Sequence, residues 1–174
     1  MKEIVEIKFA KVHPNAFIPS KRKEDMGFDI YACFDEDFIV INPHETKLIP
    51  TGIASCCSPE YGFLVFERGS TGSKGIARRC GVIDSGYRNE WFIGLTNTTN
   101  KVMFISKLSE EETYNEYYYC KDTIPESLVY PYSKAIAQAL VVPVFETNVD
   151  EIPYDELKAI KSERGLGKLG SSNK

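Results

Sequence analysis

Histidine is almost missing from this sequence: His13 and His44 are the only two in 174 residues. The five cysteines, Cys33, Cys56, Cys57, Cys80 and Cys120, are odd in number, and none are paired in a Cys-x-x-Cys spacing. So few nitrogen ligands and such sulfur spacing argue against a structural zinc site and against a disulfide framework. A reduced, intracellular (cytoplasmic) protein with incidental thiols is expected. No stretch approaches the length of a membrane span. The opening Met1-Lys2-Glu3-Ile4 is charged at once and has no signal-like apolar core. An excess of positive charge is lacking too, since 21 Lys and Arg against 25 Asp and Glu leave a net charge of −4. Neither a nucleic acid nor a membrane is therefore expected as a partner. A small anion would need a local cationic site, for which Arg68, Lys74, Arg78 and Arg79 are candidates.

What is present is ordinary for one globular domain, with 43% hydrophobic and 26% charged residues. Ile4, Val5, Ile7 and Phe9 alternate with charges as in a half-buried strand. Phe38-Ile39-Val40-Ile41, Leu48-Ile49, Ile53-Ala54 and Phe63-Leu64-Val65-Phe66 are further short apolar runs. Asn42-Pro43-His44-Glu45, Pro50-Thr51-Gly52 and Ser58-Pro59-Glu60-Tyr61-Gly62 break them as turns. This rhythm predicts an all-β sandwich or barrel, with His44 a surface residue. Two stretches depart from it. Ser109-Glu110-Glu111-Glu112 has the form of a capped first helical turn, and Pro153 to Lys161 reads as a short helix with Leu157 and Ile160 on one face. Lys21-Arg22-Lys23-Glu24-Asp25 is read as a charged, solvated loop in preference to a phosphate-binding patch. Tyr114, Tyr117, Tyr118 and Tyr119 form a cluster read as an edge or subunit contact rather than a platform for stacking a base.

Five stretches carry chemistry. In Gly81-Val82-Ile83-Asp84-Ser85-Gly86-Tyr87, a short apolar run delivers one carboxylate to a Ser-Gly turn, and Trp91 to Leu95 then runs on. This reads as a β-hairpin. Its open mouth would offer main-chain groups to a flat polar ring, and Asp84 either caps the turn or stands with Tyr87 where a sugar and a water could be oriented. Arg68 ends a strand and opens Gly69-Ser70-Thr71-Gly72. Such a turn is either a plain polar loop or a set of N–H groups aimed at an anion beside a two-pronged guanidinium. Asp29, in Gly27-Phe28-Asp29-Ile30, is a single acid in an apolar strand, so its carboxylate needs a partner. Gln138, at the start of another apolar run, either satisfies backbone or donates to a ligand. Residues 162–174 are polar and glycine-rich, either a disordered tail or a flexible lid.

In this order, from about residue 26 to the C-terminus, the five stretches resemble the trimeric dUTP diphosphatase (dUTPase) family. The resemblance implies a small jelly-roll-like β-barrel over 1–161, with an extra segment around 101–132. It further implies a flexible arm over 162–174 that closes on an active site shared between the subunits of a homotrimer. The implied reaction is hydrolysis of dUTP to dUMP and diphosphate with Mg²⁺. In it Asp84 directs the attacking water, Asp29 reaches the metal through water, and Arg68, Gly69, Ser70 and Gln138 hold phosphates. The backbone of Gly81, Val82 and Ile83 meets uracil, and Tyr87 packs on the deoxyribose. Arg164, Leu169, Gly170, Ser171 and Ser172 belong to the lid. Four positions depart from the family pattern: Gly69 where a serine is usual, Gly86 for an acid, Lys168 for a glycine and Leu169 for an aromatic. Two other readings stand beside this one. A dCTP deaminase or bifunctional relative shares the fold, but Gly94 occupies the position of its essential Glu. A dUTP-binding regulatory protein would bind without turnover.

Overall fold

The computed structural model describes residues 4–119 and 125–167. The chain divides after Val144 into a β-rich body and a C-terminal unit that begins at Phe145. Residues 145–161, grouped with the barrel on sequence grounds, fall in this second unit, where helix α3 spans Tyr154–Ala159. Leu157 and Ile160 are both exposed.

The body is all-β and jelly-roll-like, as the turn rhythm predicts. Its strands are β1 (Ile7–Lys11), β2 (Phe28–Ile30), β3 (Phe38–Ile41), β4 (Thr46–Pro50), β5 (Ile53–Cys57) and β6 (Tyr61–Phe66), then β7 (Ile76–Arg79), β8 (Val82–Ile83), β9 (Phe92–Asn97), β10 (Val102–Ser106), β11 (Ser127–Pro131) and β12 (Ala137–Pro143). They form four small sheets, ordered β1-β5, β11-β10-β3, β2-β12-β6-β8 and β4-β9-β7. Ile30, Ile41, Ile49, Phe63, Val65, Ile93 and Met103 meet in the core between them. Trp91 is fully buried there, edge-on to Phe63 at 5.0 Å and to Phe9 at 5.7 Å.

The expected hairpin between 82–83 and 91–95 does not form. β8 pairs with β6, whereas β9 pairs with β4 and β7. Trp91 explains the change, because burying its ring carries the chain from one sheet to another. The crossing is then tied to residues 51–53. Trp91 N–H donates to Ile53 O at 2.8 Å, Thr51 Oγ1 donates to Trp91 O at 2.6 Å, and Gly52 N–H donates to Glu90 Oε1 at 2.7 Å. Gly52 sits at φ +66°, and a Cβ there would lie 2.8 Å from that of Ala16, so only glycine suits this turn.

The capped helix signal is borne out. Helix α2 spans Glu110–Tyr117; Ser109 Oγ accepts from Glu112 N–H, and Glu112 Oε2 accepts from Ser109 N–H at 2.9 Å. It follows β10, and β11 then pairs parallel to β10. Three of the four clustered tyrosines, Tyr114, Tyr117 and Tyr118, pack within the chain rather than forming an edge strand, while Tyr119 is exposed. Tyr117 and Tyr118 stand edge-on to each other and to Phe104, and Tyr118 is buried.

Candidate functional site

The sheet β2-β12-β6-β8 places the chemistry-bearing residues. Asp29 of β2 lies opposite Gln138 of β12, which lies opposite Phe66 of β6. Directly opposed residues in antiparallel strands share a face, so the carboxylate and the amide stand side by side at one end of the sheet. β6 runs out at that same end and delivers Arg68. The guanidinium meets the carboxylate with two prongs, Nε to Asp29 Oδ1 at 2.9 Å and Nη2 to Asp29 Oδ2 at 3.3 Å. Asp29 thus has the partner its apolar strand demands. Both side chains are about one-third exposed, so the pair orients the groups more than it stabilises the fold, contributing about 1 kcal/mol or less.

Arg68 is fixed from both sides. Before it, Glu67 Oε1 accepts from Arg78 N–H at 2.9 Å, and that bond holds the Glu67 carboxyl below its ordinary range. After it, Gly69–Gly72 make a single helical turn, α1. The buried Thr71 hydroxyl accepts from Arg68 N–H and donates to Arg68 O, both at 3.0 Å. Thr71 is therefore committed to closing this turn, and Ser70 carries the hydroxyl that faces the adjoining space. Gly69 is exposed, and a Cβ on it would meet nothing within 4 Å. Gln138 Nε2 donates to Glu67 O at 2.8 Å, the backbone-satisfying role. Its Oε1 lies 3.0 Å from where a Cβ on Gly27 would stand.

These groups open onto a cleft of about 710 Å³, lined by Asp29, Arg68, Gly69, Ser70 and Gln138 and, next to them, by Ser20, Lys21, Arg22 and Asp25. The preference for a solvated loop over a phosphate patch at 21–25 did not anticipate this, because a run of charges gives no sign of which loop folds back on a strand. Of the expected cationic patch, only Arg68 reaches the cleft. Lys74 lies over the Tyr130 ring, Arg78 over Phe66, and Arg79 donates to Thr96 in another sheet.

Gly81, Val82, Ile83, Asp84 and Tyr87 lie elsewhere. Ile83 pairs with Phe63, so Asp84 stands level with Gly62, and Arg68 is six residues further along, about 20 Å at the strand rise. Asp84 O accepts from Tyr87 N–H at 3.1 Å, closing the turn, and Tyr87 Oη donates to Glu90 O at 3.1 Å. The Asp84 and Tyr87 side chains are both exposed. Behind them, Gly81 O accepts from Val65 N–H at 2.7 Å, and a Cβ on Gly81 would sit 2.7 Å from Val65 O. Gly81→Ala is therefore expected to cost about 1–3 kcal/mol by overpacking and to lower the melting temperature by several degrees in a thermal unfolding scan. Arg164 lies in the C-terminal unit, where its Nε donates to Gly167 O at 3.2 Å. Leu169, Gly170, Ser171 and Ser172 lie outside the described residues.

Fold and cleft together define a class: a jelly-roll-like β protein with a guanidinium, a carboxylate and an amide gathered at the strand ends of one sheet. Residues 14–109 match the dUTPase family model. The deoxyuridine 5'-triphosphate nucleotidohydrolase of Nautilia profundicola is 30% identical over 180 residues, covering 98% of this chain and all of that protein. The protein of the same name from Neisseria meningitidis serogroup C is 28% identical, covering 97% and 95%. Among solved structures, the Staphylococcus bacteriophage 80alpha dUTPase with dUPNHPP superimposes with a TM-score of 0.72 at 23% identity, covering 97% of this chain and 99% of that one. The dUTPase of S. aureus phage phi11 gives 0.65 at 19% identity, covering 84% and 96%. The chain belongs to the dUTPase family.

Proposed function

We propose that this protein hydrolyses dUTP to dUMP and diphosphate at sites assembled between copies of the chain in a homotrimer. The observation that carries the reading is the row Asp29, Gln138 and Arg68 at one end of one sheet, open to a cleft wide enough for a triphosphate. On this reading Arg68 grips phosphate oxygens with the part of its fork turned from Asp29, and Gln138 adds an amide N–H. The N–H groups of Gly69 and Ser70 complete the grip beside the Ser70 hydroxyl, those of Thr71 and Gly72 being taken by Arg68 O. Asp84 accepts the proton of the attacking water, Tyr87 packs on the deoxyribose, and the main chain of Gly81 to Ile83 meets the edge of uracil. Cytosine would reverse donors and acceptors there, at a cost of about 1–3 kcal/mol for each unpaired group. Arg164 and the residues after it close over the phosphates.

The distance along the sheet is what calls for more than one copy. Asp84 and Arg68 of one chain stand too far apart to act on the same α-phosphorus, so the acid and the phosphate grip come from different subunits. The donor set also suits magnesium. Among the described residues there is no cluster of three or more His, Cys, Asp or Glu, so a directly ligated ion has no cage. Both Asp29 oxygens bond Arg68, but each keeps a second lone pair. A lone carboxylate is enough to hold a water on Mg²⁺, which retains several waters when chelated by phosphates. Bound in that way, the ion would neutralise charge on the phosphoryl oxygens. A structural Mg(II) ion is described for a mutant dUTPase of phage phi11.

The test is diphosphate release from the purified protein with Mg²⁺, run on dUTP, dCTP, dTTP and UTP. Release from dUTP alone is expected. Release from dCTP with a uracil product would replace the reading with a deaminase, and silence on all four with dUTP still bound would replace it with a regulatory protein. Gly69 adds a finer expectation. Because a side chain fits there without contact, Gly69→Ser should fold normally and bring one more hydroxyl to the phosphates. Its kcat/KM for dUTP should rise by about threefold to tenfold, the effect of one added hydrogen bond.

A further inference from the structure

The loop Ser20–Asp25 is the wall of the cleft that the reading above leaves without a task. Its base is strapped to the strand that carries Asp29, since Asp29 N–H donates to Ser20 O at 3.0 Å in an isolated antiparallel bridge. The polar groups therefore follow one another across the cleft, Arg68 and Gln138 first, then Asp29, then Lys21 and Arg22.

Their charges are matched unevenly. Arg68 is paired with Asp29. Arg22 is paired with Asp25 by a two-pronged contact, Nε to Oδ2 and Nη2 to Oδ1 both at 2.9 Å, with Arg22 N–H also donating to Oδ2 at 3.1 Å. Those bonds hold the Asp25 carboxyl below its ordinary range. Lys21 differs. Its Nζ donates to the main-chain O of Asp25 at 2.7 Å and lies 5.7 Å from the Phe28 ring centre, and no carboxylate pairs with it among the described residues. It is the surplus cation of the cleft, with ammonium protons to spare.

We propose that Lys21 and Arg22 clamp the terminal phosphate of a nucleoside triphosphate in this cleft, Arg22 exchanging the Asp25 carboxylate for phosphate oxygens when the anion binds. This rests on the cleft being the triphosphate site. The exchange is geometrically conservative, because the guanidinium fork fits a carboxylate and a phosphate in the same way. It also disturbs little packing, since the Arg22 side chain is 88% exposed. The clamp supplies cationic donors on the side of Asp29 away from Arg68. With Gly69 lacking a hydroxyl, the Arg68 side has fewer donors of its own.

The full-length protein and its Lys21→Met, Arg22→Met and doubly substituted forms should be titrated calorimetrically with three probes: α,β-imido-dUTP, dUMP and inorganic triphosphate. The double variant is expected to bind both triphosphates about 10- to 100-fold more weakly, the loss of charge-assisted bonds at an open site, with dUMP affinity unchanged. Circular dichroism should match the wild type, because both side chains are exposed. If the double variant binds α,β-imido-dUTP as tightly as the wild type, or loses dUMP affinity equally, the clamp is wrong while the hydrolase reading stands. Lys21- and Arg22-dependent binding of inorganic triphosphate without binding of the deoxyuridine nucleotides would uphold the clamp and overturn the choice of substrate. Wild type that binds none of the three removes both.

Discussion

Asp84→Asn should lower dUTP turnover by about a thousandfold, in the range expected when a positioned proton acceptor is lost. The substitution keeps the shape of the side chain and its capacity to hydrogen-bond a sugar hydroxyl. On the proposed mechanism it removes the basic oxygen that takes the water's proton, so kcat should fall while KM changes little. The fold should be untouched. Asp84 is exposed, and the turn it opens is closed by its main-chain carbonyl rather than by its carboxylate. Diphosphate release measured beside a thermal melt and the sedimentation coefficient checks each point. A variant that turns over near the wild-type rate would sink the assignment of the acid.

A second large effect is expected from mixing two inactive proteins. On the proposed reading Arg68→Ala removes the phosphate grip and Asp84→Asn the proton acceptor, so each homogeneous preparation should be nearly silent. If the two groups serve one substrate from different subunits, unfolding the variants together and refolding them in equal amounts creates sites that contain an intact Asp84 and an intact Arg68. Random assembly of identical subunits in a closed ring makes about one site in four complete. About a quarter of the wild-type activity should return, judged by initial rates at saturating dUTP. A mixture as inactive as its parents would show that acid and arginine act within one chain, contrary to the separation read from the strand register. Arg68→Ala also strips Asp29 of its partner, so the mixed preparation should be checked for assembly by sedimentation.

Part of the grouping of Asp29, Arg68 and Gln138 was legible in the sequence. A single acid in an apolar strand must find a partner, and Asp29 finds Arg68. The Ser109 to Glu112 cap was equally readable, because a capping box is written entirely in local spacing. What escaped was non-local. The turn at Asp84 has all the local marks of a hairpin, yet its outgoing strand pairs elsewhere. The burial of Trp91 and the bonds from residues 90–91 to 51–53 decide that pairing, and neither is encoded near residue 84. The tyrosines at 114–118 carry no sign of whether their rings turn inward, and Phe104 decides it. Lys21 and Arg22 look like any solvated charges until the bridge from Ser20 to Asp29 sets them against the cleft.

The parallel pairing of β10 and β11 has a consequence for chain length. Two neighbouring strands that point the same way cannot be joined by a tight turn, because the chain must first travel back to the level at which it began. From the end of β10 that return is about 16 Å, the length of a five-residue strand. The eight residues of α2 make a helix about 12 Å long within that connection. The connection from Ser106 to Ser127 therefore has a minimum length set by the direction of β11. Trimming it to a few residues would oblige β11 to run the other way, and the position now filled by the buried Tyr130 would pass to a different residue of that strand.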